Sequence, residues 1–286
     1  MEYSLEVTGL TKHFEGFCLD HVTFRVKQGS IMGFIGENGA GKSTTIKSIL
    51  NLLHPEEGTI KILGKKLEED ERNLKEQIGV VFDENHLHET LNAKDVHLLM
   101  SKIYTNWDSQ VYWSYLSKFK LPEKKAIKEY SRGMKMKLSI AIALSHHPKL
   151  LILDEATSGL DPVIRTEILD VFYEFIQDEE HSILMSSHIT GDLEQIADYI
   201  TFIQDGKIVF SESKENILEK YGILRCGKSD FSTIEQAVIA GFKEGAYSYD
   251  VLVKDRALVR RKYPKLAMDP ASLEEIMLYY GKGGKS

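Results

Sequence analysis

One stretch limits what this chain can fold into more than any other: Gly36-Glu37-Asn38-Gly39-Ala40-Gly41-Lys42-Ser43-Thr44. It fits the spacing G-x-x-x-x-G-K-[ST] and lies between an apolar run, Ile31 to Ile35, and a helical pattern reaching about Leu53. Glycines let such a turn wrap so that backbone N–H groups point inward at phosphate oxygens, and the helix that follows offers its positive end to the same anion. Lys42 supplies a point charge for the outer phosphates, and the Ser43 hydroxyl suits Mg²⁺. With 21 glycines among 286 residues, a chance match is on the order of one in a hundred. A strand, a phosphate-binding turn and a helix in that order require an α/β fold.

The remaining sequence supports that class. Strands are expected at 4–10, 19–26, 31–35, 58–63, 78–82, 150–154, 182–186, 199–204 and 207–210. Helices are expected at about 133–146, 162–178 and 190–196. Strands alternating with helices imply a mainly parallel, helix-covered sheet, preceded here by an N-terminal antiparallel β part. From about Leu91 to Lys128 strand signals vanish and Leu91, Val96, Leu99 and Ile103 fall at helical spacing. A helical subdomain over about 85–145 is therefore expected within a first domain at 1–220. Trp107, Tyr112 and Trp113 read as its core rather than as contact residues. A small α+β extension at 221–286 is expected, with helices at 232–240 and 271–280 and strands at 246–253 and 256–261. The final six residues read as a frayed tail.

Composition removes several function classes. The formal net charge is −7, which argues against a nucleic-acid partner, and Lys124, Lys125, Lys135 and Lys137 read as solvated surface. Cys18 and Cys226 form no metal-binding or redox pair, as expected of free thiols in a reducing compartment. The N-terminus carries no secretory signal pattern. No apolar run approaches the roughly 18 residues of a membrane helix.

A second cluster completes the first. Leu150 to Leu153 is an apolar strand ending in Asp154 and Glu155. Ligands gather at the carboxyl ends of parallel strands. Asp154 is expected to hold Mg²⁺, directly or through water, and Glu155 to orient and deprotonate a water attacking the terminal phosphate. Ser158 to Asp161 follows, and His188 stands at the end of the strand at 182–186.

These residues, in this order, resemble the nucleotide-binding subunit of an ABC transporter, from about Leu5 to Phe210. Gly36 to Thr44 resembles the family's Walker A sequence, Leu150 to Glu155 its Walker B, Ser158 to Asp161 its D-loop and His188 its switch histidine. Tyr130-Ser131-Arg132-Gly133-Met134 stands in the place of the LSGGQ signature, and Phe14 in the place of the aromatic that stacks on adenine. The resemblance implies an ATPase using ATP and Mg²⁺. It also implies two nucleotide-binding subunits, identical or related, closing head to tail around two ATP molecules. Each ATP would touch the Walker A of one subunit and the signature of the other. The expected catalytic residues are Glu155, His188 and Asp161. The expected ATP contacts are Phe14, Gly36, Glu37, Asn38, Gly39, Ala40, Gly41, Lys42, Ser43, Thr44, Asp83, Ser131 and Gly133, with Ser43, Asp83 and Asp154 at the metal. Separate transmembrane permease subunits are implied as partners, with the chain held at the cytoplasmic face of the membrane.

Two departures stand out. The signature carries Arg132 where the family has its first Gly, with Tyr130 for Leu and Met134 for Gln. Asp83 replaces the Gln usual after the strand at 78–82. Ser131 and Gly133 keep a helix cap and a close approach. Arg132 could add charge near the phosphate or face solvent. The YSRGM segment and the C-terminal run Ser272 to Tyr280 resemble exporters of drugs, lantibiotics or amphipathic peptides. The alternative is a soluble ABC ATPase acting on a cytoplasmic assembly, such as an iron–sulfur or ribosomal one.

Overall fold

A computed structural model describes residues 2–66, 69–84 and 86–282. Asn85, at the expected start of the helical subdomain, and the last four residues of the expected tail lie outside them. The chain divides into two compact units, Met1–His188 with Thr201–Val209 and Ile189–Ile200 with Phe210–Ser286.

In the first unit, β1 (Tyr3–Phe14), β2 (Phe17–Lys27), β4 (Glu57–Ile62) and β5 (Lys65–Lys66) form an antiparallel sheet in the order β2-β1-β4-β5. Phe14 pairs with Phe17 across the β1–β2 turn. The larger sheet has the order β10-β9-β3-β8-β7-β6. Its strands are β3 (Ile31–Ile35), β6 (Ile78–Val81), β7 (Leu150–Asp154), β8 (Ser182–Ser187), β9 (Tyr199–Gln204) and β10 (Lys207–Ser213). β3, β8, β7 and β6 run parallel. Every residue of β3, β7 and β8 is buried, as central parallel strands covered on both faces must be. The register sets Ile35 beside Ser187 and Asp154 beside Ser186, so the carboxyl ends of three neighbouring strands lie level.

Three helices start at side-chain caps. The helical subdomain contains α3 (Ala93–Ile103), α4 (Ser109–Lys118) and α5 (Arg132–Leu144), begun by Asn92, Asp108 and Ser131 respectively. Each cap side chain accepts from N–H groups of its first turn, which a helix end otherwise leaves unsatisfied. Asn92 and Asp95 form a reciprocal capping box. Tyr112 is fully buried, and its hydroxyl donates to the Ala93 carbonyl at 2.9 Å. Trp107 and Trp113 are half-buried around His97, which accepts from the Trp107 indole N–H at 3.1 Å. Tyr112 is core, as its sequence indicates, whereas the two tryptophans stay half-buried at its edge. His146 stacks on Tyr104 with ring centroids 4.0 Å apart, and its Nε2 lies 3.1 Å from the Ile78 carbonyl. Burial holds its pKa below the ordinary histidine value. The other helices of this unit are α1 (Lys42–Ile49), α2 (Glu71–Lys75) and α6 (Pro162–Phe175).

The second unit includes α7 (Thr190–Ile196), α8 (Lys214–Lys220) and a four-stranded antiparallel sheet in the order β12-β13-β11-β14. Its strands are β11 (Gly222–Gly227), β12 (Ile239–Glu244), β13 (Ser248–Val253) and β14 (Ala267–Pro270), with helices α9 (Lys228–Phe231), α10 (Arg256–Lys262) and α11 (Leu273–Lys282). Leu224, Cys226, Ile234, Val238, Val251, Val253 and Val259 make a core of their own, against which Phe231, Phe242 and Tyr249 pack. Both cysteines are free thiols.

Two local expectations fail here. The segment 232–240 is not a helix: it passes through a 3₁₀ turn, Gln236–Val238, into β12. Ile234 and Val238 have helical spacing and are both buried, but β12 pairs along β13. Gly241 lets α11 approach, since a Cβ there would sit 2.3 Å from the Tyr279 carbonyl. The segment 256–261 is a helix rather than a strand. Asp255 caps it, accepting from the Leu258 N–H at 2.9 Å, and three basic residues in its last turn complement the helix dipole.

Candidate active site

The phosphate loop connects the buried end of β3 to α1. Gly39 and Gly41 have φ of 84° and 112°, in the left-handed region that favours glycine. A Cβ at Gly41 would also lie 2.6 Å from Leu19 and 3.0 Å from Phe17. Gly36 is glycine because a Cβ would meet the Ile203 carbonyl at 2.5 Å. Glu37, Asn38 and Gly39 are exposed at the mouth, while Ala40 is buried. Unlike α3, α4, α5 and α6, α1 begins with no side-chain cap, and its first turn holds no acidic residue. Its N-terminal N–H groups are thus presented to a bound anion.

Lys42 is nearly fully buried across this loop. Its Nζ donates to the carbonyls of Gly36 at 2.7 Å and Glu37 at 3.2 Å, and lies 3.3 Å from Glu155 Oε1. Ser43 Oγ donates to Asp154 Oδ1 at 3.2 Å, joining the phosphate loop to the end of β7. Thr44 follows in α1, half-buried.

Glu155 has φ of 55°, unusual for a residue with a side chain. The chain reverses at once after β7, with Ser158 N–H donating to the Glu155 carbonyl at 3.0 Å. Glu155 therefore stays at the strand end. Its Oε2 accepts from His188 Nδ1 at 2.6 Å. The structure brings Lys42, Ser43, Asp154, Glu155 and His188 together at the level ends of β3, β7 and β8.

Two residues at the site were missed in the sequence. Ser186 Oγ donates to Asp154 Oδ1 at 2.6 Å and accepts from the Glu155 N–H at 3.1 Å. It is fully buried, and its role exists only through the β7–β8 register. Gly206, between β9 and β10, donates from N to the Ala40 carbonyl at 3.0 Å and accepts from Asp20 N at 2.9 Å, steadying the phosphate loop from behind. The one available signal was the Asp205-Gly206 turn pair.

The other expected residues fall nearby. Phe14 is an exposed aromatic, 43% accessible, tilted against Phe17 at 6.2 Å, and Phe17 adjoins Gly41. Ser131 caps α5, its Oγ accepting from Met134 N at 3.3 Å. Gly133 packs on α6, where a Cβ would sit 2.5 Å from Ile164. Asp161 caps α6, accepting from Val163 N and Ile164 N, each at 3.1 Å. Asp83 forms its ion pair with Arg132. Tyr130 donates to the Pro122 carbonyl at 2.5 Å, and burial pushes its pKa up.

The oxygen donors Ser43 and Asp154, already converging, fit a hard cation such as Mg²⁺. Among the described residues no group of three or more His, Cys, Asp or Glu side chains is placed to hold a metal by itself.

The family model described as ABC transporter matches residues 19–158. The chain is 35% identical over 212 residues to the bacitracin transport ATP-binding protein of Bacillus licheniformis, covering 73% of this chain and 69% of that one. It is 35% identical over 223 residues to the lantibiotic transport ATP-binding protein of Streptococcus pyogenes, covering 76% and 95%. A solved structure of an ATP-binding subunit of an ABC transporter superposes with a TM-score of 0.67 at 30% identity, covering 74% of this chain and 91% of that one. The glycine-turned phosphate loop with its buried lysine, the strand-end carboxylates and these likenesses lead to one family: the chain belongs to the ATP-binding, ATP-hydrolysing subunits of ABC transporters.

Proposed function

We propose that this chain powers efflux of an antimicrobial or amphipathic peptide, or a drug, through separate permease subunits. The observation that carries the reading is the likeness to the lantibiotic transport protein across 95% of its length. The chain's own residues supply the chemistry. The phosphate loop and Lys42 bind the phosphates, Phe14 stacks on adenine, and Ser43 and Asp154 hold Mg²⁺. The metal, when bound, neutralises charge between the outer phosphates. Glu155 takes a proton from the attacking water, and His188 keeps its carboxylate in place at 2.6 Å. Asp161 sets where α6 begins.

Two copies, or this chain and a relative, close head to tail, with Ser131 and Gly133 facing the terminal phosphate held by the other subunit. Hydrolysis removes that bridging charge and the pair opens, turning a phosphate into motion. Among the described residues no helix is long and apolar enough to cross a membrane, so the permease would be a separate chain holding this one at the cytoplasmic face. α3 supports such docking, with Leu98, Leu99 and Ile103 exposed at 58%, 43% and 53%.

The test is Glu155→Gln. It should retain ATP and slow hydrolysis by about 10²–10⁴-fold, the scale of general-base loss. Tagged and drawn from detergent-solubilised membranes with ATP, it should bring a multi-span membrane protein in stoichiometric amount. Near-normal hydrolysis defeats the general-base role, and capture of only a soluble assembly defeats the transporter role.

A further inference from the structure

The two departures from the family motif meet each other. Arg132, in place of Gly, is the first residue of α5; Asp83, in place of Gln, follows β6 by two positions. An Arg132 Nη2 hydrogen donates to Asp83 Oδ1. The guanidinium also lies over Gly159, where a Cβ would be 2.6 Å from Nη1 and 2.9 Å from Cζ. Gly159 has φ of 66°, so its missing side chain leaves the room the guanidinium occupies. Three segments thus converge on one cation: the end of β6, the start of α5 and the Ser158 to Asp161 turn. The first two of them border a cavity of about 380 Å³ that Asp83, Glu84, Arg132 and Lys135 line with two charges of each sign.

A cation at a helix N-terminus is disfavoured by the helix dipole, whereas an anion there is favoured. Asp83 resolves the conflict by placing a carboxylate at the start of α5. A terminal phosphate is the same kind of partner, an oxyanion suited to a guanidinium and to helix N–H groups together. It also carries more charge than a carboxylate.

We infer that Asp83 is a positioning residue that holds Arg132 in the place of a phosphate, and that the terminal phosphate of ATP bound by the second subunit displaces it as the pair closes. The inference rests on the head-to-tail reading above. Both side chains are about half exposed, at 52% and 46%, so the pair is weak enough to be exchanged. Breaking it changes an equilibrium by only about two- to five-fold, the range of exposed ion pairs. On this account the two substitutions act together: Arg132 strengthens the grip on phosphate, and Asp83 sets how much ATP is needed to engage it.

The experiment measures, in the full chain carrying Glu155→Gln, the ATP concentration for half-maximal dimer formation by sedimentation velocity. Asp83→Asn should lower it by about two- to five-fold. Arg132→Gln should raise it, and Asp83→Asn added to Arg132→Gln should change nothing further. If Asp83→Asn raises the ATP requirement in both backgrounds, the carboxylate serves the nucleotide directly and the inference is overturned. No change from Asp83→Asn alone overturns it as well. Absence of any ATP-dependent dimer in the Glu155→Gln parent overturns the head-to-tail reading, and the inference with it.

Discussion

Ser186→Ala tests whether the site is held from beneath. The wild-type hydroxyl donates to Asp154 Oδ1 at 2.6 Å and accepts from Glu155 N at 3.1 Å, in a fully buried position. Alanine fits the space, so neither cavity nor clash obscures the result. The Glu155 N–H keeps a partner, the Ser186 carbonyl at 3.2 Å, so its loss is small. Asp154 fares worse. It is 6% exposed, and of the two hydroxyls on Oδ1 only the longer bond from Ser43, at 3.2 Å, remains. A hydrogen bond to a charged buried group is worth about 1.5–3 kcal/mol. At roughly 2–4 °C per kcal/mol for a large domain, the apparent melting temperature should fall by about 3–12 °C. Turnover should fall too, because Glu155 sits in a left-handed conformation that its surroundings must hold. A loss of about tenfold in kcat, with little change in KM, is expected of a general base shifted rather than removed. Differential scanning fluorimetry and an ATPase assay on the same preparation suffice. A variant melting within 1 °C of the parent with equal kcat, on the order of assay error, would refute the reasoning.

Three further outcomes can be checked. Gly206→Ala should destabilise by at least about 3 kcal/mol, a loss of the size reserved for severe strain, because a Cβ there would lie 1.8 Å from the Cys18 carbonyl oxygen; denaturant unfolding measures it. Burial lowers the His146 pKa, so the unfolded chain binds the proton more readily, and stability should decline as pH falls below about 6.5, levelling below the folded value. His146→Gln should flatten that decline in unfolding midpoints taken between about pH 7 and 5. Asp161→Ala should cost about 0.5–2 kcal/mol for a lost cap, whereas Asp161→Asn, an equal cap, should keep stability; equal losses in both would show that the charge rather than the cap matters.

What could be read in the sequence was local. The phosphate loop is contiguous, and the turn that needs glycine and the lysine that crosses it lie within seven residues. Asp154 and Glu155 declare themselves by ending an apolar run. The strands at 150–154 and 199–204 and the helix at 190–196 have the bounds expected of them. Ser186 gave no such sign, because only the pairing of β7 with β8 turns an ordinary serine into the support of the Asp154 carboxylate and the Glu155 backbone. The C-terminal segment misled for a related reason. Ile234 and Val238 have the spacing of a helix face, but their burial is decided by β12, β13 and the approach of α11 at Gly241. In Arg256 to Arg261 the apolar residues invited a strand, yet Asp255 gives the N–H of Leu258 a partner and starts a helix.

Among the first unit's helices of at least the length of α1, 8 residues, the starts separate binding from support. Side chains of Asn92, Asp108, Ser131 and Asp161 occupy the first-turn N–H groups of α3, α4, α5 and α6. Helix α1 has no such side chain, so its N–H groups are available to a ligand. A phosphate bound there would meet donors that no capping side chain occupies among the described residues. At α5 the arrangement differs. Ser131 satisfies one N–H, and Asp83 supplies the negative charge that the helix start and Arg132 both attract. An arriving phosphate must therefore compete at α5 but not at α1. Binding within one subunit would then be the easier step and closure against a second the costlier one, the order a transport cycle requires if ATP is to be loaded before it is used.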